Sequence, residues 1–277
     1  MFSSALLLCT LLLGASPTIE SKFAQVAPVP PEGGTVTRSK KQFRAVVLIH
    51  GFRPYLSEDA VNHADFREWQ RPGCLLVREL AKDSDVFSYG YSQNDSIAAI
   101  VAAGGLADGV RQLRSAGYLD IVLVGHSAGA LVARQFVEDH ADAGVTKVVQ
   151  VCPPNGGTTA AAINSFATQR SFLDSLTPEG RQQILKERAT KSIPKSVQFV
   201  CILSDVGGGN DGLVRCDCQW TADLQYQCVP VIAIKVAHPV VPRVAKGVEA
   251  IAEAVRQDLP RWNPERVREM KVELFKE

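Results

Sequence analysis

Apolar residues in this chain of 277 residues fall into short dense runs separated by polar stretches of helical length. The runs AVVLI (45–49), DVFSYGY (85–91), IVLVG (121–125), KVVQVC (147–152), VQFVCIL (197–203) and VPVIAIKVA (229–237) are rich in β-branched residues. Most are nearly continuous in apolar positions, the pattern of strands covered on both faces. Segments 94–115, 128–142 and 243–258 have the length of helices. In the last, Val244, Val248, Ile251 and Val255 recur at helical spacing, with Lys and Glu on the other face. Strand and helix in alternation predict an α/β fold: a doubly wound, mostly parallel sheet of about six strands with helices on both faces.

The flanks break this rhythm. Residues 1–16, MFSSALLLCTLLLGAS, hold an apolar run followed by small residues, the arrangement of a secretory signal, although no Lys or Arg precedes the run. The run is about half the roughly 20 residues a spanning helix needs. The expectation is a secreted or extracytoplasmic protein. Cys9 sits inside the apolar run rather than after it, which argues against a lipid-modified cysteine. Residues 17–42, with APVPPEGG at their centre, read as a flexible linker, leaving 43–277 as one domain. Within it, 153–195 is too long for a simple crossover and carries Ile163, Phe166, Phe172, Leu173, Leu176 and Ile184. It reads as a helical insertion after the strand at 147–152, a lid or cap near the ligand-binding end of the sheet.

With 46% hydrophobic and 21% charged residues, the chain can bury one large core. Net charge is +1, and the one visible basic cluster, Arg38, Lys40, Lys41 and Arg44, is too short for a nucleic-acid surface. Beyond the leader there are six cysteines, Cys74, Cys152, Cys201, Cys216, Cys218 and Cys228, an even number that permits disulfides without fixing their pairing. Cys216, Cys218 and Cys228 form the most plausible local cluster. Zinc is a weaker reading of it, since no histidine lies near. Cys152 and Cys201 fall inside apolar runs and suit buried thiols equally well.

The chemistry concentrates in GHSAG (125–129), between the run IVLVG and the helical segment ALVARQFV. Ser127 would stand at the carboxyl edge of a parallel strand, where open α/β sheets bind ligands. Flanking glycines suit a sharp strand-to-helix turn, because the two backbones pass close by. The alternative use of such a serine is to cap the helix. A serine hydroxyl needs a base to become a nucleophile, and the base needs an orienting acid. Five histidines are available: His50, His63, His126, His140 and His238.

Here the chain resembles the α/β-hydrolase family, lipase-like and esterase-like members in particular, over roughly residues 43–258. In that family the triad runs Ser, then Asp or Glu, then His along the chain. The resemblance implies Ser127 as nucleophile and His238, immediately after the last strand, as base. His126 is fixed beside the nucleophile, and His140 ends the following helix. For the acid, Asp205 and Asp211 both follow the strand at 197–203. Asp211 is favoured, because NDGLV resembles the Asp-Gly-aliphatic turn of lipase-like hydrolases, and Asp205 is the reserve. LIHGF (48–52) implies Phe52 as one oxyanion-hole N–H and Ala128 as the other, with His50 holding the loop. CPPNGGTTA (152–160) is similar to a Pro-x-Gly-Gly-Thr stretch of bacterial lipases and equally reads as a turn.

The expected activity is therefore hydrolysis of carboxylic esters through an acyl-enzyme, with no metal and no other cofactor. The substrate would be a small-molecule or lipid ester, the latter met at a membrane or lipid-droplet surface, and no nucleic acid is involved. Acyl length and oligomeric state stay open. A thioesterase or acyltransferase would use the same residues, and a non-catalytic binding relative is the reading from another class.

Overall fold

The computed structural model describes residues 19–29, 36–39, 43–55, 58–162 and 167–275. The leader-like residues 1–16, Lys40, Lys41, Ile163 and Phe166 lie outside them. Seven strands form one sheet: β1 (Ser21–Ala27), β2 (Arg44–Ile49), β3 (Asp85–Tyr91), β4 (Asp120–His126), β5 (Lys147–Val151), β6 (Gln198–Ser204) and β7 (Val231–Ile234). Their order across the sheet is β1-β3-β2-β4-β5-β6-β7. All neighbours from β3 to β7 pair in parallel, and β1 runs antiparallel along the outer edge of β3, Ser21 opposite Tyr91 and Ala27 opposite Val86.

β1 corrects the reading of 17–42 as a flexible linker. Residues 21–27 bury Gln25 and Val26 against the sheet, and Thr37 returns to exchange two hydrogen bonds with the Gln25 amide, 3.0 and 3.1 Å. Pro and Gly at 28–34 suggest a linker, yet a short strand precedes them.

Side chains alternate across the central strands. Ala45, Val47, Ile49, Ile121 and Leu123 pack toward one layer, and Val46, Leu48, Val122 and Val124 toward the other. The helices are α1 (Glu58–Val61), α2 (Leu75–Leu80), α3 (Ile97–Ala102), α4 (Gly105–Ser115), α5 (Ala128–Asp139), α6 (Arg170–Asp174), α7 (Pro178–Glu187), α8 (Cys216–Gln219), α9 (Ala222–Tyr226), α10 (Ala245–Arg256) and α11 (Pro264–Phe275). The first layer takes apolar residues of α3, α4 and α5, and the second takes those of α2 and α10. The expected helix 94–115 is two helices, because Gly104 sits at φ 83°, a left-handed conformation that ends α3 and starts α4. In α10 the stripe Val248, Ile251 and Val255 is buried as expected, while Val244 is the N-cap and partly exposed.

The 153–195 insertion is helical where it is described, with short 3-10 turns at Thr159–Ala161 and Ala167–Gln169 before α6 and α7. Its apolar residues divide their work. Phe172 enters the core beside Phe52 and Tyr91, ring centroids 6.1 and 6.2 Å away, whereas Leu173 and Leu176 also line a cavity at the carboxyl end of the sheet.

Candidate active site

Between Ile121 and Val137 every residue is buried except Ser127. The turn that exposes it is tight. A Cβ on Gly125 would lie 2.4 Å from the Gly129 carbonyl oxygen, and one on Gly129 would lie 2.3 Å from the His50 carbonyl oxygen. Both sites exclude any side chain. Ser127 itself has φ 55°, ψ −127°, rare for a residue with a Cβ, and is anchored by its N–H donating to the Val151 carbonyl, 2.8 Å. Its hydroxyl does not cap α5. The capping alternative is thus unfilled, and Ser127 is one of the few non-glycine residues at positive φ, with Cys152 and Cys228.

The loop after β6 turns Asp211 inward to full burial. One carboxylate oxygen accepts from the N–H groups of Leu213 and Val214, 3.0 and 2.7 Å, and the other accepts from Nδ1 of His238, 2.6 Å. The backbones are also tied, His238 N–H donating to the Asp211 carbonyl, 2.9 Å. Gly212, at φ 96°, makes the turn that brings these amides around the carboxylate. Asp205 does different work: its Oδ1 accepts from Gly207 and Asn210 N–H, 2.7 and 3.2 Å, and closes its own loop. The structure therefore brings Asp211, not Asp205, to His238.

His238 and Ser127 line one cavity of about 370 Å³, with Gly51 and Phe52 on its border. Gly51 lets the β2 loop lie directly on the Ser127 turn, since a Cβ there would be 2.6 Å from Ser127 Cβ. Phe52 follows at the cavity, and Ala128 is the first residue of α5, where a helix leaves its N–H groups without internal acceptors.

His126 is buried, and its Nε2 donates to the His238 carbonyl, 2.9 Å, while its ring lies edge-on to Trp69. Burial first, then the neighbouring His238, pushes its pKa down to about 3. His50, stacked on Tyr91 with centroids 4.5 Å apart, donates from Nδ1 to the Gly51 carbonyl, 2.9 Å, and burial likewise pushes it down to about 3. Both are neutral props. His140 stacks on Phe136, 4.7 Å away, and His63 sits at the exposed surface beside Glu20, so neither enters the site.

The model of the alpha/beta hydrolase family matches residues 46–265. The chain belongs to this family. A search of curated proteins finds no match to the sequence. Among solved structures, the mature form of lipase BlEst2 from Bacillus licheniformis is similar with TM-score 0.57 and 16% identity, over 82% of this chain and 93% of that one. The metagenomic carboxyl esterase MGS0156 gives 0.54 and 18%, over 89% and 82%. Phospholipase PlaB from Legionella pneumophila gives 0.58 and 13%, over 84% of this chain and 63% of that one. At these identities the likeness is one of fold, the seven-stranded hydrolase sheet described above.

Three polar side chains of this hydrolase escaped the sequence reading. Gln93 donates to the Gly51 carbonyl, 3.0 Å, and accepts from Arg53 N–H, 2.9 Å. Gln169, from the insertion, accepts from Tyr55 N–H, 3.0 Å, and donates to the Arg53 carbonyl, 2.8 Å. Arg67 donates to the Phe52 carbonyl, 2.5 Å. Together they fix residues 51–55 as a rigid shelf. The sequence signal was slight, an isolated Gln or Arg at the end of an apolar or helical segment.

The thiols do not bridge. All six described cysteines are free, and Cys201, Cys216 and Cys228 point at separate carbonyls, those of Gln219, Ser204 and Tyr226. The potential metal-ligating group is a different one: Cys152, Asp211 and His238 present donor atoms within 4.8 Å of one another. Burial and the charge of Asp211 raise the Cys152 thiol well above its ordinary range, so it stays protonated and donates to that carboxylate. A protonated thiol and a carboxylate already bonded to the imidazole do not make a cation site.

Proposed function

We propose that this hydrolase cleaves carboxylic esters, with Ser127 as nucleophile, His238 as base and Asp211 as the acid that orients it. Asp211 fixes the tautomer with the proton on Nδ1, leaving Nε2 to take the Ser127 proton as the hydroxyl attacks the ester carbonyl. The N–H groups of Phe52 and Ala128 hold the tetrahedral oxyanion. The imidazolium then protonates the departing alcohol, and water, activated by the same imidazole, releases the acid from Ser127. No step uses a metal or organic cofactor.

The observation that carries this reading is the 2.6 Å bond from His238 to a fully buried Asp211, on the border of the cavity that Ser127 also lines. The apolar part of the lining suits an acyl chain, and the lipase and esterase among the structural neighbours agree with that choice. The test is Ser127→Ala. It should lower turnover of a p-nitrophenyl ester by about 10⁴-fold or more, abolish labelling by a fluorophosphonate, and leave the melting temperature within a few degrees. Retained labelling would assign the chemistry to another nucleophile.

A further inference from the structure

The cavity over Ser127 has two characters. Phe52, Leu173, Leu176, Leu213 and Val214 give it an apolar stretch, while Arg67 and Arg243 give it two cations, and none of the described residues that line it is acidic. Both border the one cavity, and burial first, then the charge of Arg53 and last that of Arg243, lowers the Arg67 guanidinium to about 10. Arg67 is half-buried, bonds the neutral Phe52 carbonyl, and forms no ion pair with a carboxylate among the described residues. Among the described residues Arg243 pairs with Glu68 alone, 3.9 Å away and itself 83% exposed, a pairing of little worth in water.

Two guanidiniums sharing a cavity wall without an acid between them are unfavourable as they stand, and they become favourable when an anion enters. The burial that penalises Arg67 also strengthens a charge-assisted hydrogen bond from it to an incoming phosphate or carboxylate, while Arg243, 48% exposed at the cavity border, adds the second cation. Resting on the reading of Ser127 as nucleophile, we infer that the ester accepted here carries an anionic group, held by Arg67 and Arg243, while its acyl chain lies along the leucine-lined stretch. Arg243 is the specificity residue of the pair. Arg67 has a second task in holding the Phe52 carbonyl and is unsuited to a clean test.

A lipid phosphate and the carboxylate of a dicarboxylic half-ester share this chemistry, and two matched pairs of probes separate them. The first pair is dihexanoyl-glycerophosphate against dihexanoylglycerol. The second is p-nitrophenyl hydrogen glutarate against p-nitrophenyl pentanoate. The full chain should show kcat/KM about 10-fold or more higher for the charged member of one pair, as expected for a charge-assisted contact. The pair with the larger ratio identifies the anion. Arg243→Gln should bring that ratio toward one, Arg243→Lys should keep most of it, and Arg243→Glu should push it below one. Ratios at or below one in both pairs overturn the inference on the unaltered protein, as does an Arg243→Gln ratio equal to that of the unaltered protein. Absence of both fluorophosphonate labelling and ester turnover would instead remove the nucleophile reading and this inference with it.

Discussion

The imidazole of His126 donates from Nε2 to the backbone carbonyl of His238, 2.9 Å away, so the residue beside Ser127 holds the loop that carries His238. The bond requires a proton on Nε2, and it is burial that keeps the ring neutral. Folded His126 and His50, both lowered to about 3, bind protons only well below the ordinary value of 6.5. Between those values the unfolded chain takes up more protons than the folded one. Their contribution to stability is therefore complete above pH 6.5 and is lost as pH falls toward 3, with a slope of about 1.4 kcal/mol per pH unit for each proton. Urea unfolding from pH 7 to 4 should show the decline. His126→Gln, which can keep an N–H for the His238 carbonyl, should show a slope shallower by one proton. An unchanged slope would mean that His126 is not buried neutral.

Asp211 and Asp205 lie six positions apart in one loop and do different work. Asp211→Asn replaces a charge that orients His238, and kcat should fall by about 10³- to 10⁴-fold. Asp205→Asn loosens two hydrogen bonds to Gly207 and Asn210, and should cost about 1 kcal/mol of stability while kcat stays within a few-fold. Steady-state kinetics with thermal melting distinguishes the two, and a larger kinetic loss for Asp205→Asn would reverse the assignment.

Gly51 lets the β2 loop lie directly against Ser127. In Gly51→Ala the new methyl would sit 2.6 Å from Ser127 Cβ and 2.8 Å from the His126 carbonyl oxygen, so the loop bearing Phe52 must move. Displacement of an oxyanion donor by even 1 Å should cost on the order of 10²-fold in kcat. The comparison of kcat for Gly51→Ala with the native chain, at matched fluorophosphonate labelling, reads this directly.

What could be read from the sequence is what repeats along it or obeys a motif. The dense β-branched runs located β2 to β7 within one to three residues at most ends, because strands buried on both faces leave a strong local signature. GHSAG located the partly exposed Ser127 for a local reason too, since only glycine fits at 125 and 129. NDGLV set Asp211 ahead of Asp205, and Asp211 is the one at His238. Contacts made at long sequence separation left no such mark. Gln169 reaches 116 positions back to Arg53, and His126 reaches 112 forward to His238; each depends on tertiary placement that no window of sequence contains. The Gly104 break and β1 were hidden differently. One was a glycine inside an apolar helical stretch, and the other a short edge strand surrounded by proline and glycine.

That edge strand changes where the folded unit begins. β1 takes up the hydrogen-bonding groups along the outer side of β3, and without it Val86 to Tyr91 would present them unsatisfied. Trimming the chain to residue 43, as composition alone would recommend, would unzip the sheet's border and leave a template on which another molecule's strand could dock. The 26 residues from 17 to 42, which by composition look like mere packaging, thus include the selvedge that keeps one molecule's sheet from becoming two molecules' sheet.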